Sequence, residues 1–132
     1  MPVVEIAIPP RSPYVGVVRL AVSSLARTAG LDEEKVDDIR IAVSEACTNA
    51  VLAHEESGSH DPVAITWSDV AERIEIDVDQ AVATPDDPAT TDSAGFSTRS
   101  VLSGSLLESL VDECTFTPRP GGGTRTHLVV LR

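Results

Sequence analysis

The segment Ser44-Glu45-Ala46-Cys47-Thr48-Asn49-Ala50 sets a carboxylate and a carboxamide four residues apart. On an α-helix that spacing turns Glu45 and Asn49 about 40° from one another, on one face. Two oxygen-bearing side chains so placed suit a hard cation with phosphates attached, since Mg²⁺ takes oxygen ligands. Spacing alone does not separate this from two polar residues on a solvent-facing helix flank, and both readings stand at this point.

Other side chains offer less. His54, His60 and His127 share no metal-ligand spacing with Cys47 and Cys114, which argues against zinc. Gly121-Gly122-Gly123 lacks the Lys-Ser/Thr that follows the glycines of a phosphate-binding loop, and it reads as a hairpin turn. The acids between residues 86 and 92 lack a Ca²⁺-loop pattern. Ser44 and Ser57 have no His and acid partners in a hydrolase arrangement. Cys47 and Cys114 lie far apart inside apolar runs and read as buried free thiols in a reducing compartment.

The elements that must carry Glu45 and Asn49 follow from periodicity. Val4, Ile6 and Ile8 alternate with Glu5 and Ala7 and stop at Pro9-Pro10, a short first strand. Ser12-Pro13 offers an N-cap with Pro at the first helical position, and Val17, Val18, Ala21, Leu25 and Ala26 follow at helical spacing until Gly30. Asp32 caps a second helix with Glu33 and Glu34 in its first turn, where the dipole favours acids. Its apolar stripe is Val36, Ile39, Val43, Ala46 or Cys47, and Ala50, running to about His54; Glu45 and Asn49 lie beside that stripe. A polar loop over 55–61 leads to two strands, 63–67 and 73–78. Residues 80–98 are poor in large apolar side chains, and a loop of that length marks a lid or a disordered segment. A third helix over 98–111 and strands around 114–116 and 126–131 complete the chain. The order β-α-α-β-β-lid-α-β-β, without internal repeat, predicts a single two-layer α/β (α+β) domain over 1–132. Its sheet is expected to be mixed and mostly antiparallel, with helices 12–29, 32–54 and 98–111 on one face.

Glu45 to Val51, with His54 following, resembles the N box of the GHKL (histidine-kinase-like) ATPases, and in particular the bacterial anti-sigma-factor serine kinases of the RsbW and SpoIIAB type. Val78-Asp79-Gln80 ends a strand where the family's Asp-x-Gly-x-Gly adenine box begins. Leu110-Val111-Asp112-Glu113, then Gly122-Gly123-Thr124-Arg125-Thr126-His127-Leu128, looks like the family's closing helix–strand and Gly-Gly-Thr strand. The resemblance covers nearly the whole chain. It implies a Bergerat-type sandwich, ATP with Mg²⁺ as cofactors, and phosphoryl transfer to a serine. By resemblance, Asn49 is the Mg²⁺ ligand that ties the metal to the ATP phosphates, and Glu45 is the general base. Asp79 matches the carboxylate that accepts from the adenine amino group. Thr124 matches a strand residue near the adenine end or the phosphates, and Gly104 is what remains of the second glycine box of the lid. The resemblance further implies a sigma factor, held and then released by a switch to an anti-anti-sigma (STAS) partner, and a homodimer through the sheet side.

Two departures accompany these matches. Ala81-Val82-Ala83 stands where the family has Gly-x-Gly, and each Ala adds a Cβ. Val101-Leu102-Ser103-Gly104 keeps one glycine of the lid's Gly-x-Gly-Leu, and Gly95-Phe96 lies out of register. Backbone cradles for phosphate depend on such glycines. Two readings therefore stand: an ATP-dependent serine kinase, or a binding module of the same fold that grips its partner without catalysis.

Composition bounds the partners. The 132 residues are 42% apolar but only 3% aromatic, so Val, Leu, Ile and Ala must fill the core. With 21 acidic and 10 basic residues the formal charge is -11, which disfavours direct nucleic-acid contact and anionic membrane surfaces and suits a basic protein partner. No run approaches the ~18 apolar residues of a spanning helix. Met1-Pro2-Val3-Val4-Glu5 lacks the basic start and apolar block of a signal peptide. The expected location is the cytoplasm.

Overall fold

Alternation in β2 (Val63–Val70) and β3 (Arg73–Gln80) places Val63, Ile65, Trp67, Ile74, Ile76 and Val78 on one face, and none of the six is more than 2% exposed. A computed structural model of the chain describes residues 3–82 and 98–132, the stretch 98–102 by its backbone alone. In it β2 and β3 join β1 (Val3–Ile8), β4 (Glu113–Pro118) and β5 (Thr124–Leu131) in one sheet of order β1-β2-β3-β5-β4. Three helices accompany the sheet: α1 (Val15–Thr28), α2 (Glu33–Ser57) and α3 (Thr98–Leu110).

Among the described residues the four strand pairings are all antiparallel, in keeping with the mostly antiparallel α+β sheet expected and without a parallel pair. The α1–α2 hairpin returns the chain to the end of the sheet it left, so β2 runs back along β1 with Val63 opposite Ile8. At the other edge β4 runs in the same direction as β3, but β5 lies between them and pairs with both. The parallel relation is therefore present in the path of the chain and absent from the hydrogen-bond ladder.

Helix α2 has well-defined ends. The Asp32 carboxylate accepts the Lys35 N–H at 2.9 Å, and Glu33 and Glu34 occupy the first turn. At the far end Gly58 adopts φ 74°, its N–H donates to Glu55 O, and Ser59 N–H donates to His54 O, a Schellman closure. The helix consequently runs to Ser57 rather than stopping near His54. The stripe Val36, Ile39, Val43, Ala46, Cys47 and Ala50 is buried against Val18, Val22 and Ala26 of α1 and against the sheet. Burying one Val or Ile contributes about 1.5–3 kcal/mol, while a cap contributes about 1. Packing of the stripe thus sets how α2 is rotated, and with it where Glu45 and Asn49 face.

On β3 the opposite face of the sheet is charged. Glu75, Asp77 and Asp79 alternate with the buried residues of β3, and His127 of β5 sits with Nδ1 2.5 Å from Asp77 Oδ1 and Nε2 3.3 Å from Glu75 Oε1. Among the described residues no helix is long and apolar enough to cross a membrane.

Candidate functional site

Because α2 turns its apolar stripe inward, Glu45 and Asn49 emerge half-buried along the side of that stripe. Helix α3 packs beside them: Asn49 Nδ2 donates to Ser103 Oγ at 2.6 Å, and Ser103 itself is buried. With its nitrogen engaged, the Asn49 amide has its oxygen as the remaining polar atom. Among the described residues no cation pairs with Glu45. Its neighbour Ser44 accepts from Arg19 Nη2 at 3.1 Å, which ties α1 to this turn of α2.

The end of the sheet is joined to α2 one turn further on, through His54. Gln80 closes β3 directly opposite Thr124 at the start of β5, and one step along the ladder Val78 faces Thr126. By alternation Gln80 and Thr124 share the helix-facing side with Val78 and Thr126. Gln80 is 6% exposed, and its Nε2 donates to Val82 O at 2.8 Å. Immediately beyond it, Ala81 N–H donates to Nε2 of His54 on α2 at 3.0 Å. From the other side Arg119 Nη1 donates to Gln80 O at 3.1 Å. Gly123, at φ 87°, lies so close that a Cβ there would meet Gln80 O at 2.1 Å.

Structure and motif part company at Asp79. It follows Glu75 and Asp77 onto the charged face, away from Asn49. There both carboxylate oxygens accept from Arg125, its cross-strand partner, at 2.7 and 2.9 Å. That hydrogen-bonded pairing pushes the Arg125 guanidinium further up from its ordinary value. The structure thus does not bring Asp79 beside Asn49; Gln80 holds the helix-facing position. Gly104 is displaced as well. It lies in the interior of α3, with ordinary φ and open space around it, so its N–H belongs to the helix ladder and not to a phosphate loop. Thr124 opens β5, opposite Gln80. Ala83 and Gly95-Phe96 lie outside the described residues.

Ser103 and the His54–Ala81 contact were not anticipated. His54 could have been flagged as a polar residue extending an apolar stripe, but nothing in the sequence names its partner. The thiols offer no nucleophile: burial pushes Cys47 up to about 12 and, with help from Glu108, Cys114 up to about 11.

Comparison with known proteins follows the same outline. A family model described as a histidine kinase-like ATPase domain matches residues 8–130. The serine-protein kinase RsbW of Staphylococcus aureus is 30% identical over 130 residues, covering 89% of this chain and 80% of that protein. RsbW of Bacillus subtilis (strain 168) is 36% identical over 73 residues, 55% of this chain and 46% of that protein. The chain thus spans about half the length or less of the first curated relatives it matches. Among solved structures, the RsbU and RsbW domains of Rv1364c from Mycobacterium tuberculosis superpose with a TM-score of 0.74 at 18% identity, over 99% of this chain and 32% of that one. A chain of the SiaB-SiaC complex from Pseudomonas aeruginosa does so with 0.71 at 10% identity, over 96% and 88%. At such identities the two structures speak for the fold.

Proposed function

The chain belongs to the histidine kinase-like ATPase family, in its RsbW-type branch, and from this we propose that it is a cytoplasmic anti-sigma-factor regulator. It holds a sigma factor, switches to an anti-anti-sigma (STAS) partner, and transfers the terminal phosphoryl group of ATP to a serine of that partner. The observation that carries this reading is the placing of Glu45 and Asn49 half-buried on one side of α2, with Asn49 held by Ser103 of α3.

The donor set fits Mg²⁺. Ser103 takes the Asn49 nitrogen and thereby orients the amide oxygen, a hard ligand of the kind this ion prefers. When bound, the ion neutralises phosphate charge. Glu45, four residues earlier on the same face, accepts the proton of the attacking serine hydroxyl on its carboxylate. Thr124 lines the sheet end of the site. Neither residue forms a covalent intermediate, since direct transfer is carried by positioning and charge. A net charge of -11 suits basic faces on both protein partners, and the charged sheet face is the side through which two copies would pair.

A second reading is favoured by a specific observation. Ala81 stands at the corner where a glycine would let backbone approach a ligand, and Gly104 is spent inside α3. The chain would then be a binding module that regulates by protein contact alone. Calorimetry with Mg·ATP separates the two. The kinase reading expects measurable binding, weakened about 10- to 150-fold in Asn49→Ala through loss of one charge-assisted contact. No heat at millimolar nucleotide would remove the kinase reading and leave the binding module.

A further inference from the structure

His54 continues the buried stripe of α2, where an aliphatic side chain would pack without any desolvation cost. Instead a ring with two polar atoms sits there, fully buried, and it reaches across to the first residue beyond β3. Ala81 N–H donates to its Nε2 at 3.0 Å, so the ring is neutral and its proton is on Nδ1, which is buried and has no hydrogen-bond partner among the described residues. The same two-residue corner is gripped from the β4–β5 turn by Arg119 Nη1 on Gln80 O and by the close backbone of Gly123. The corner is therefore held between α2, through this hydrogen bond, and the β4–β5 turn.

We propose that His54 is a positioning residue of the nucleotide site: a neutral imidazole, on the helix that carries Asn49, which fixes Gln80 and Ala81 against α2 by accepting the Ala81 N–H. The proposal rests on the ATP-binding reading above. It explains why a polar ring occupies a core position, since an aliphatic residue would leave the Ala81 N–H without its partner. It also gives the site a pH response. Burial lowers the His54 pKa from 6.5, opposed by Asp61. Other charged or titratable groups near the ring are Glu55 on α2 and, across a pocket of about 510 Å³, Arg11, Tyr14 and His60. Above pH 6.5 the ring is neutral in folded and unfolded chains, and its contribution is complete. As pH falls from 6.5 towards the lowered folded value, the unfolded chain takes up the proton first and that contribution is lost. Once protonated, the ring has no acceptor left for Ala81.

The test compares the full chain with His54→Gln, whose amide oxygen can still accept, and His54→Leu, which fills the space without accepting. Two readouts are used: amide hydrogen exchange at Ala81 in the nucleotide-free protein, and Mg·ATP calorimetry from pH 5 to 8. His54→Leu is expected to speed Ala81 exchange about 10-fold and to weaken nucleotide binding about 3- to 10-fold at pH 7.5, the worth of one hydrogen bond. His54→Gln should stay within about 2-fold of wild type in both. Wild-type affinity should decline as pH falls below 6.5 towards the lowered value of the folded chain, and the Gln variant should not share that decline. Equal exchange in wild type and His54→Leu, or equal damage from Gln and Leu, overturns the proposal. If His54→Leu does not fold, the wild-type and Gln pH profiles decide alone, and parallel profiles overturn it. Should Ala81 exchange respond as expected while the wild type binds no nucleotide, the ATP-binding reading is what fails; the docking contact stands and its nucleotide role is overturned.

Discussion

Glu45→Ala should leave ATP and sigma-factor affinity nearly unchanged while phosphoryl transfer to the anti-anti-sigma partner falls about 10²- to 10⁴-fold. A general base acts in the transition state, so its loss appears in transfer and not in binding. The geometry supports the assignment: Glu45 is half-buried on the Asn49 face, and among the described residues no cation competes for its carboxylate. The neighbouring Arg19–Ser44 hydrogen bond holds that turn of α2 against α1, so the substitution should not loosen the helix. A mere flank residue predicts something different, a change below about 0.5 kcal/mol in both binding and transfer. Radiolabelled phosphate transfer to purified partner, run beside a sigma-factor titration, reads both quantities. Equal transfer by wild type and variant would remove Glu45 from the mechanism. Binding without transfer in either protein would identify a catalytically silent member of the family.

Much of the architecture was legible because packing dominates it. The even-numbered residues of β3 as far as Val78 are apolar and the odd ones charged, and α2 carries an apolar stripe between an Asp cap and a glycine stop. The same alternation held information that the motif match overrode. Asp79 falls in the parity of Glu75 and Asp77, so period-2 geometry already places it on the charged face, with Gln80 behind it on the helix side. A motif aligned by letter fixes position along the chain to within a residue, and in a strand one residue is the difference between the two faces. Gly104 shows the helical version: a glycine in the right neighbourhood serves no backbone cradle once it lies in the interior of α3. The remaining contacts were not legible for a different reason. Asn49–Ser103 and Ala81–His54 join residues 54 and 27 positions apart, and no local pattern encodes which polar groups will meet when the layers close.

Gly123→Ala is expected to destabilise the fold by about 3 kcal/mol or more, against about 1 kcal/mol for Gly121→Ala in the same turn. Both glycines have positive φ, 87° and 84°, so both substitutions incur the strain of a left-handed residue. Their surroundings separate them. A Cβ at Gly121 would meet nothing within 4 Å, whereas one at Gly123 would lie 2.1 Å from Gln80 O, 2.9 Å from Ala81 C and 3.1 Å from Ala81 Cα. Those atoms are backbone and cannot rotate away, so either the end of β3 or the start of β5 must move. That shift would disturb Arg119 on Gln80 O and the turn bond from Arg119 N–H to Gly123 O. Urea midpoints at unchanged slope measure the difference, and equal losses at the two positions would mean that the close approach is relieved at little cost. The same variants bear on the site. If a fixed Gln80–Ala81 corner matters for nucleotide, Gly123→Ala should weaken Mg·ATP binding even in conditions where it is fully folded, and Gly121→Ala should not. Equal affinity in the two folded variants would make this close approach a matter of folding alone.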